Sequence, residues 1–297
     1  MLLIDSDNGL GSPRGDVDDA FALALLLKSG LPIAGLTSVG GNTAEARADR
    51  NNRALGDLCG YRGLYLRGAR APSGLRVDRV SEVWSGLGEP LRVVALGPLT
   101  NVAAILAETA RSGRTLRLAE VVLVGSNATS RGFLPPFWPH EFNLSHDAAA
   151  FRAVFSSDLP LTIVPLDVAR RLRLGRRDLE QLEGPLGEHL RRGSARWLRR
   201  ALLRHRSRSF PAFDLLAAAY VVDPSLVTSV EAFAHLRRGP RLRFSYRGPG
   251  PGEPGRPVRL VRGFDGPAIR RLLAALVNTP PRPSTHLSAG APISRLP

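Results

Sequence analysis

An α/β fold is predicted for this chain of 297 residues: an open, mainly parallel, Rossmann-like sheet flanked by helices, with a helical elaboration in the C-terminal half. Three observations predict it. Short, continuous apolar runs recur along the chain, as expected of parallel strands buried on both faces. Helical patterns separate them, and strands alternating with helices indicate a parallel sheet. An acidic, glycine-rich loop follows the first run, where sites form outside the carboxyl ends of such strands.

Leu2-Leu3-Ile4 is the first strand, and Asp19 to Lys28 (DAFALALLLK) reads as a helix. Ile33 to Val39 is a strand, followed by a helix near Thr43–Leu58. Leu91 to Leu96 is a strand and Thr100 to Ala110 a helix; Leu118 to Val124 and Leu161 to Val164 are further strands. Residues 172–223 read as mostly helical, and Leu226 to Val261 as late strands with loops. Gly248 to Gly255 (GPGPGEPG) is a turn-rich loop, and Pro267 to Val277 fits a final helix. Residues 1–278 are read as a single domain, and residues 279–297 as a mobile Pro/Ser-rich tail.

The 43% of hydrophobic residues excludes a mostly disordered chain. No run approaches the roughly 18 apolar residues that span a bilayer. The N-terminus lacks a basic segment and meets Asp5 at once, unlike a secretory signal. Cys59 is the single cysteine, so no disulfide framework forms. A soluble, cytoplasmic protein without membrane partners is expected. The net charge of +15 invites a nucleic-acid reading, but Lys28 is the only lysine, so the excess reflects an arginine-rich composition. The densest basic segment, Arg191 to Arg208, alternates arginines with leucines and Trp197 as an amphipathic helix would. It lacks interleaved aromatics for base stacking, so nucleic acid is not the expected partner.

The most informative segment joins the first strand to the first helix. Asp5, Asp7, Asp16, Asp18 and Asp19 crowd into fifteen residues. Like charges this close raise one another's pKa unless a cation compensates. A hard divalent ion that takes several carboxylate oxygens meets that need, and Ca²⁺ accepts 6–8 oxygen ligands. Helix capping by Asp18 or Asp19 explains one or two of the acids and not Asp5 or Asp7. Glycines at 9, 11 and 15 miss the G-x-G-x-x-G spacing of a dinucleotide loop. An Asp-x-Asp phosphohydrolase, with Asp5 as nucleophile, is the alternative enzyme; it wants a lysine near the phosphate, and Lys28 lies in an apolar helix.

Asp5-x-Asp7 … Asp18-Asp19-Ala20 resembles the N-terminal signature of the nucleoside hydrolases, the inosine–uridine-preferring family. Val39-Gly-Gly-Asn42, Ala95-Leu-Gly-Pro-Leu-Thr-Asn101, Glu141-Phe-Asn143 with Asp147, and Phe213-Asp214-Leu … Asp223-Pro224 resemble further motifs of that family, in order. The resemblance implies a Ca²⁺-dependent hydrolysis of ribonucleosides to free base and ribose, in nucleoside salvage. It implies Ca²⁺ on Asp7, Asp19, Asp214 and the Leu96 carbonyl, with Asp7 as general base. Asp18 and Asn42 would hold the ribose hydroxyls, and Glu141 and Asn143 the 5′ side. A dense carboxylate pocket suits this reaction, because breaking an N-glycosidic bond builds positive charge on ribose. A homo-oligomer, dimer or tetramer, is expected. A non-catalytic nucleoside-binding protein on the same fold is the remaining alternative.

The chain departs from the family's pattern in three places. The loop between Asp7 and Asp18 is longer than the compact form, which leaves Asp16 and Arg14 without counterparts. An asparagine expected before Glu141 has no match in Arg131–His140. The residue before Asp214, a leaving-group histidine in many relatives, is Phe213. Phenylalanine has no proton to give, so stacking of a purine between Trp84 and Phe213 is expected instead. Core packing of both rings, with His140 or His146 as the acid, is the other possibility. Asn42 could merely occupy a left-handed turn, and Asp214 could merely cap the apolar helix that follows. The two-residue spacing of Glu141 and Asn143 places both on one side of an extended segment.

Overall fold

A computed structural model describes residues 1–12, 15–69, 90–113, 118–129, 141–237, 241–248 and 255–281. In chain order its strands are β1 (Leu2–Ser6), β2 (Ile33–Ser38), β3 (Tyr65–Arg67), β4 (Leu91–Ala95), β5 (Leu118–Val124) and β6 (Leu161–Val164). These are followed by β7 (Arg173–Gly175), β8 (Ser209–Pro211), β9 (Val227–Arg237), β10 (Arg241–Ser245) and β11 (Arg256–Phe264). Nine of these form one sheet in the order β10-β9-β11-β6-β5-β4-β1-β2-β3. From β6 to β3 every pairing is parallel, and β11 joins β6 in parallel. Only β9 breaks the pattern, running antiparallel to both β11 and β10. The mainly parallel α/β architecture expected from the apolar runs is therefore present.

Side chains alternate across the strands, so each buried run feeds two cores. Leu2, Ile4, Val94 and Val122 pack on one face with Phe21, Leu25 and Leu215. Leu3, Val93, Ala95 and Val121 pack on the other with Val102, Ile105 and Phe151. Every residue of the helix Asp18–Lys28 is buried, because it lies among the helices Glu45–Cys59, Phe213–Val222 and Gly266–Asn278. A helix enclosed on all sides reads as apolar all round, as this one does.

Residues 172–223 are not purely helical. β7 and β8 form a separate antiparallel pair on either side of the helix Gly184–His205. Three-residue strands bury too little to leave an apolar run, which is why the sequence pattern conceals them. Among the described residues no helix is long and apolar enough to cross a membrane. Cys59 is buried and unpaired by any disulfide. Residues 282–297 of the tail lie outside the described residues.

Candidate active site at the sheet switch point

From β1 the chain moves through β2 to β3 on one side, while β4, β5 and β6 extend the sheet the other way. The crevice at such a reversal, outside the carboxyl ends of the strands, is where α/β folds bind ligands. Asp7 follows β1 there, and Leu96 follows β4. Asp7 is fully buried, and its Oδ2 accepts the Asn42 backbone N–H at 2.6 Å. A Cβ at Gly41 would stand 2.0 Å from that oxygen, so the glycine before Asn42 lets the backbone close on the carboxylate. Burial pushes the Asp7 carboxyl up to about 6, against the lowering effect of the Asn42 N–H.

The acidic loop folds back on itself. A Cβ on Gly9 would lie 2.8 Å from the Asp16 carbonyl and 3.0 Å from Gly15 Cα, so the two limbs touch at their glycines. This returns Asp16 to Asp18 and Asp19, and carboxylate oxygens of the three lie within 4.8 Å of one another. Asp16 Oδ1 accepts Asn42 Nδ2 at 2.8 Å, and Asp19 Oδ1 accepts the Ser6 hydroxyl at 2.7 Å. Neither Asp18 nor Asp19 caps its own helix, whose N-cap is Val17 without a side-chain bond. Asp18 instead accepts the Asp214 backbone N–H at 3.1 Å, across 196 residues of sequence. Asp214 is thus in the first turn of its helix, not at the cap, which is Ala212.

Burial first, and then the neighbouring charges, raise the carboxyls of Asp16, Asp19 and Asp214 well above the usual range; burial also raises Asp18. No arginine, lysine or histidine forms an ion pair with Asp5, Asp7, Asp16, Asp18, Asp19 or Asp214 among the described residues. Asp19 Oδ2 is buried without a hydrogen-bond partner. An oxygen-only, cation-free cluster with an orphaned carboxylate oxygen fits a hard divalent ion.

Asp5 plays a different part. Asn101 Nδ2 donates to its Oδ1 at 2.8 Å and to the Ser38 carbonyl at 3.0 Å, while Asn101 Oδ1 accepts the Ala69 N–H at 2.8 Å. One amide therefore ties β1, β2 and the segment after β3 beneath the site. The sequence pattern identified the Leu-Thr-Asn turn without revealing this brace.

A cavity of about 370 Å³ opens above the carboxylates. Asp16, Asp18, Asn42 and Asp214 line its acidic end, with Leu96, Glu141, Asn143 and Phe213 around it. Asn42 is not in the left-handed region, since the non-glycine residues at positive φ among those described are Ser126 and Arg206. Glu141 and Asn143 are not in an extended segment, contrary to their spacing. Glu141 caps the short helix Phe142–His146, its carboxylate accepting the N–H groups of Asn143 at 3.0 Å and Leu144 at 2.6 Å. Burial pushes the Glu141 carboxyl up to about 8. Asn143 Nδ2 donates to the Leu96 carbonyl at 2.9 Å and to that of Val124 at 3.3 Å.

Trp84 and His140 lie outside the described residues. His146 packs its ring 5.1 Å from that of Phe142. Lys28, which a phosphate site would need, sits at the far end of the first helix and donates to the Thr279 carbonyl. Arg173, Trp197 and Arg200 also line the cavity, and sequence reasoning had singled out none of them for the site.

The family model described as inosine-uridine preferring nucleoside hydrolase matches residues 2–270. A pyrimidine-specific ribonucleoside hydrolase RihA of Photobacterium profundum is 28% identical over 162 residues, 53% of this chain and 50% of the relative. The chain thus spans about half the length of that relative. A non-specific ribonucleoside hydrolase RihC of Salmonella newport is 27% identical over 272 residues, 78% of this chain and 81% of the relative. A solved purine-preferring ribonucleoside hydrolase from Gardnerella vaginalis shares the fold, with a TM-score of 0.75 at 22% identity over 93% of this chain and 97% of that one.

Proposed function

Because the chain belongs to the inosine–uridine preferring nucleoside hydrolase family, we propose that it hydrolyses the N-glycosidic bond of ribonucleosides, with Ca²⁺ bound and purine nucleosides favoured. One observation carries the reading: Asp7 lies buried among carboxylates without a cation partner among the described residues, at the switch point of a parallel sheet. Asp7, Asp19, Asp214 and the Leu96 carbonyl are the proposed ligands, with Asp16 close enough to join them. When bound there, Ca²⁺ supplies charge neutralisation and Lewis acidity.

The residues of the chain divide the rest of the work. Asp18 and Asn42, at the acidic end of the cavity, hold the ribose 2′- and 3′-hydroxyls. Glu141 and Asn143 take the 5′ side; with Nδ2 engaged by two carbonyls, Asn143 has its Oδ1 left to accept a hydroxyl. Asp7 takes a proton from the water whose oxygen attacks C1′. The glycosidic electron pair leaves with the base nitrogen, which takes its proton from solvent. Phe213 lines the cavity where a base-flanking ring is expected, and Trp84 is its proposed counterpart. The carboxylates stabilise the positive charge that gathers on the ring.

The test is release of ribose from inosine, guanosine, adenosine and uridine, with and without a chelator. Ribose from at least one nucleoside, lost on chelation and restored by Ca²⁺, is expected. No release from any of them would overturn the proposal; uridine preferred over inosine would overturn its purine preference.

A further inference from the structure

The acidic end of the cavity accounts for the ribose. Its other wall carries the opposite charge. Arg173 and Arg200 both line it, and neither is paired with a carboxylate among the described residues. Other arginines do hold a carboxylate: Arg67 holds Glu45 at 2.7 Å and Arg92 holds Glu120 at 2.7 Å.

Arg173 is fixed rather than mobile. Its Nε donates to Ser209 Oγ at 2.8 Å, and its Nη2 donates to Ser207 Oγ at 2.9 Å and to the Ser209 carbonyl. A guanidinium has five N–H bonds, so these neutral acceptors leave the two on Nη1 over. Partial burial disfavours its charge, as expected of a cation desolvated without a counter-anion. β7 pairs with β8 so that Arg173 stands opposite Pro211, two residues before Phe213. Its guanidinium lies at Ser207 and Ser209, which line the same cavity as Pro211 and Phe213. Arg200 adds a second positive charge, its guanidinium 5.3 Å from the Trp197 ring centroid.

We propose that Arg173 selects the base, donating from Nη1 to the acceptor edge of an oxo nucleobase and neutralising the charge that the base acquires as it leaves. This rests on the hydrolase reading above. A 6-oxopurine presents O6 and N7 side by side, both acceptors, whereas adenine presents the N6 amino donor beside N7. An arginine welcomes the first edge and is repelled by the second. It stays protonated and so moves no proton. The electron pair of the glycosidic bond goes to the base, and Arg173 lowers the energy of that anion until solvent protonates it. This supplies what Phe213 cannot.

The experiment uses the full chain with Ca²⁺ and compares kcat/KM for inosine, adenosine and 4-nitrophenyl β-D-riboside. The nitrophenolate leaves without help, so it reports the ribose end alone. Wild type is expected to favour inosine over adenosine by roughly 10- to 100-fold. Arg173→Ala should lower the ratio of inosine to nitrophenyl riboside activity by roughly 10-fold or more. Arg173→Lys, which keeps the charge and loses the planar donors, should recover only part of it. Thermal melts establish that each variant is folded, and the wild-type selectivity needs no variant at all. Adenosine equal to inosine in wild type, or equal losses on inosine and the nitrophenyl riboside in Arg173→Ala, would overturn the assignment while leaving the hydrolase reading intact. Inosine 5′-monophosphate turned over better than inosine, with Arg173→Ala abolishing that advantage, would place a phosphate on Arg173 and overturn it too. No activity on any riboside would remove the hydrolase reading and this assignment together.

Discussion

Replacing Asp19 by asparagine should make the chelated protein more stable and the Ca²⁺-loaded protein less so. Asparagine keeps the acceptor that Ser6 uses and removes one negative charge from a buried cluster. Oxygens of Asp16, Asp18 and Asp19 lie within 4.8 Å of one another. At that distance two unit charges repel by about 3.5 kcal/mol for an effective dielectric constant of about 20. Asp19 faces at least two such neighbours, and proton uptake relieves part of the cost, so a gain of about 2–3 kcal/mol remains without metal. For a chain of this size that is a rise in Tm of roughly 3–5 °C. Calcium at a thousand times its Kd should stabilise wild type by about 4.1 kcal/mol, a gain the variant loses with its ligand. The order of the two melting curves should therefore reverse between chelator and Ca²⁺. Differential scanning fluorimetry in both buffers reads it directly. A variant that melts below wild type in chelator, or two proteins stabilised equally by Ca²⁺, would refute the argument.

Two further outcomes follow from the same cluster. Asp5 at about 7 and Asp7 at about 6 hold protons more tightly in the folded chain than in the unfolded one, where carboxyls titrate near 3.8. Their stabilising contribution is complete below about pH 4 and is lost as pH rises through about 7, so the Tm of chelated protein should fall between pH 5 and 8; a flat or rising profile contradicts the assignment. Asp7→Asn should lower kcat by roughly 10²- to 10⁴-fold with little change in KM, because a general base acts in the transition state. A rise in KM alone would make Asp7 a binding residue.

The parallel strands were legible because a strand covered on both faces has no polar side to display. β1, β4, β5 and β6 fall where the apolar runs lie, and the helix Asp18–Lys28 where the run is too long for a strand. The carboxylate floor was legible for a similar reason: five acids in one short loop have few structural uses. One local expectation and one alternative failed on geometry that spacing does not encode. Glu141 and Asn143, two apart, suit one side of a strand, yet Glu141 turns its carboxylate onto the N–H groups of a helix that begins at Phe142. Asp214 precedes an apolar helix as a cap would, but Asp18 from the first helix already accepts its backbone N–H. A contact across 196 residues leaves no trace in either local pattern.

The opposite wall was hidden by composition rather than by distance. With arginine supplying 40 of the 41 basic residues, Arg173 and Arg200 look like any other arginine of the chain. Net charge says how many cations there are and nothing about which of them lack a partner. The structure shows what each one is bonded to and where it lies. An arginine that meets an exposed glutamate, as Arg176 meets Glu180 at 2.7 Å, gains little and can be exchanged at little cost. One held by two serines inside a cavity, with no carboxylate to offset its partial desolvation, is costly to keep unless something negative arrives. On the reading proposed above, the carboxylate floor meets the positive charge of the sugar ring, and the negative charge left to meet is that of the departing base.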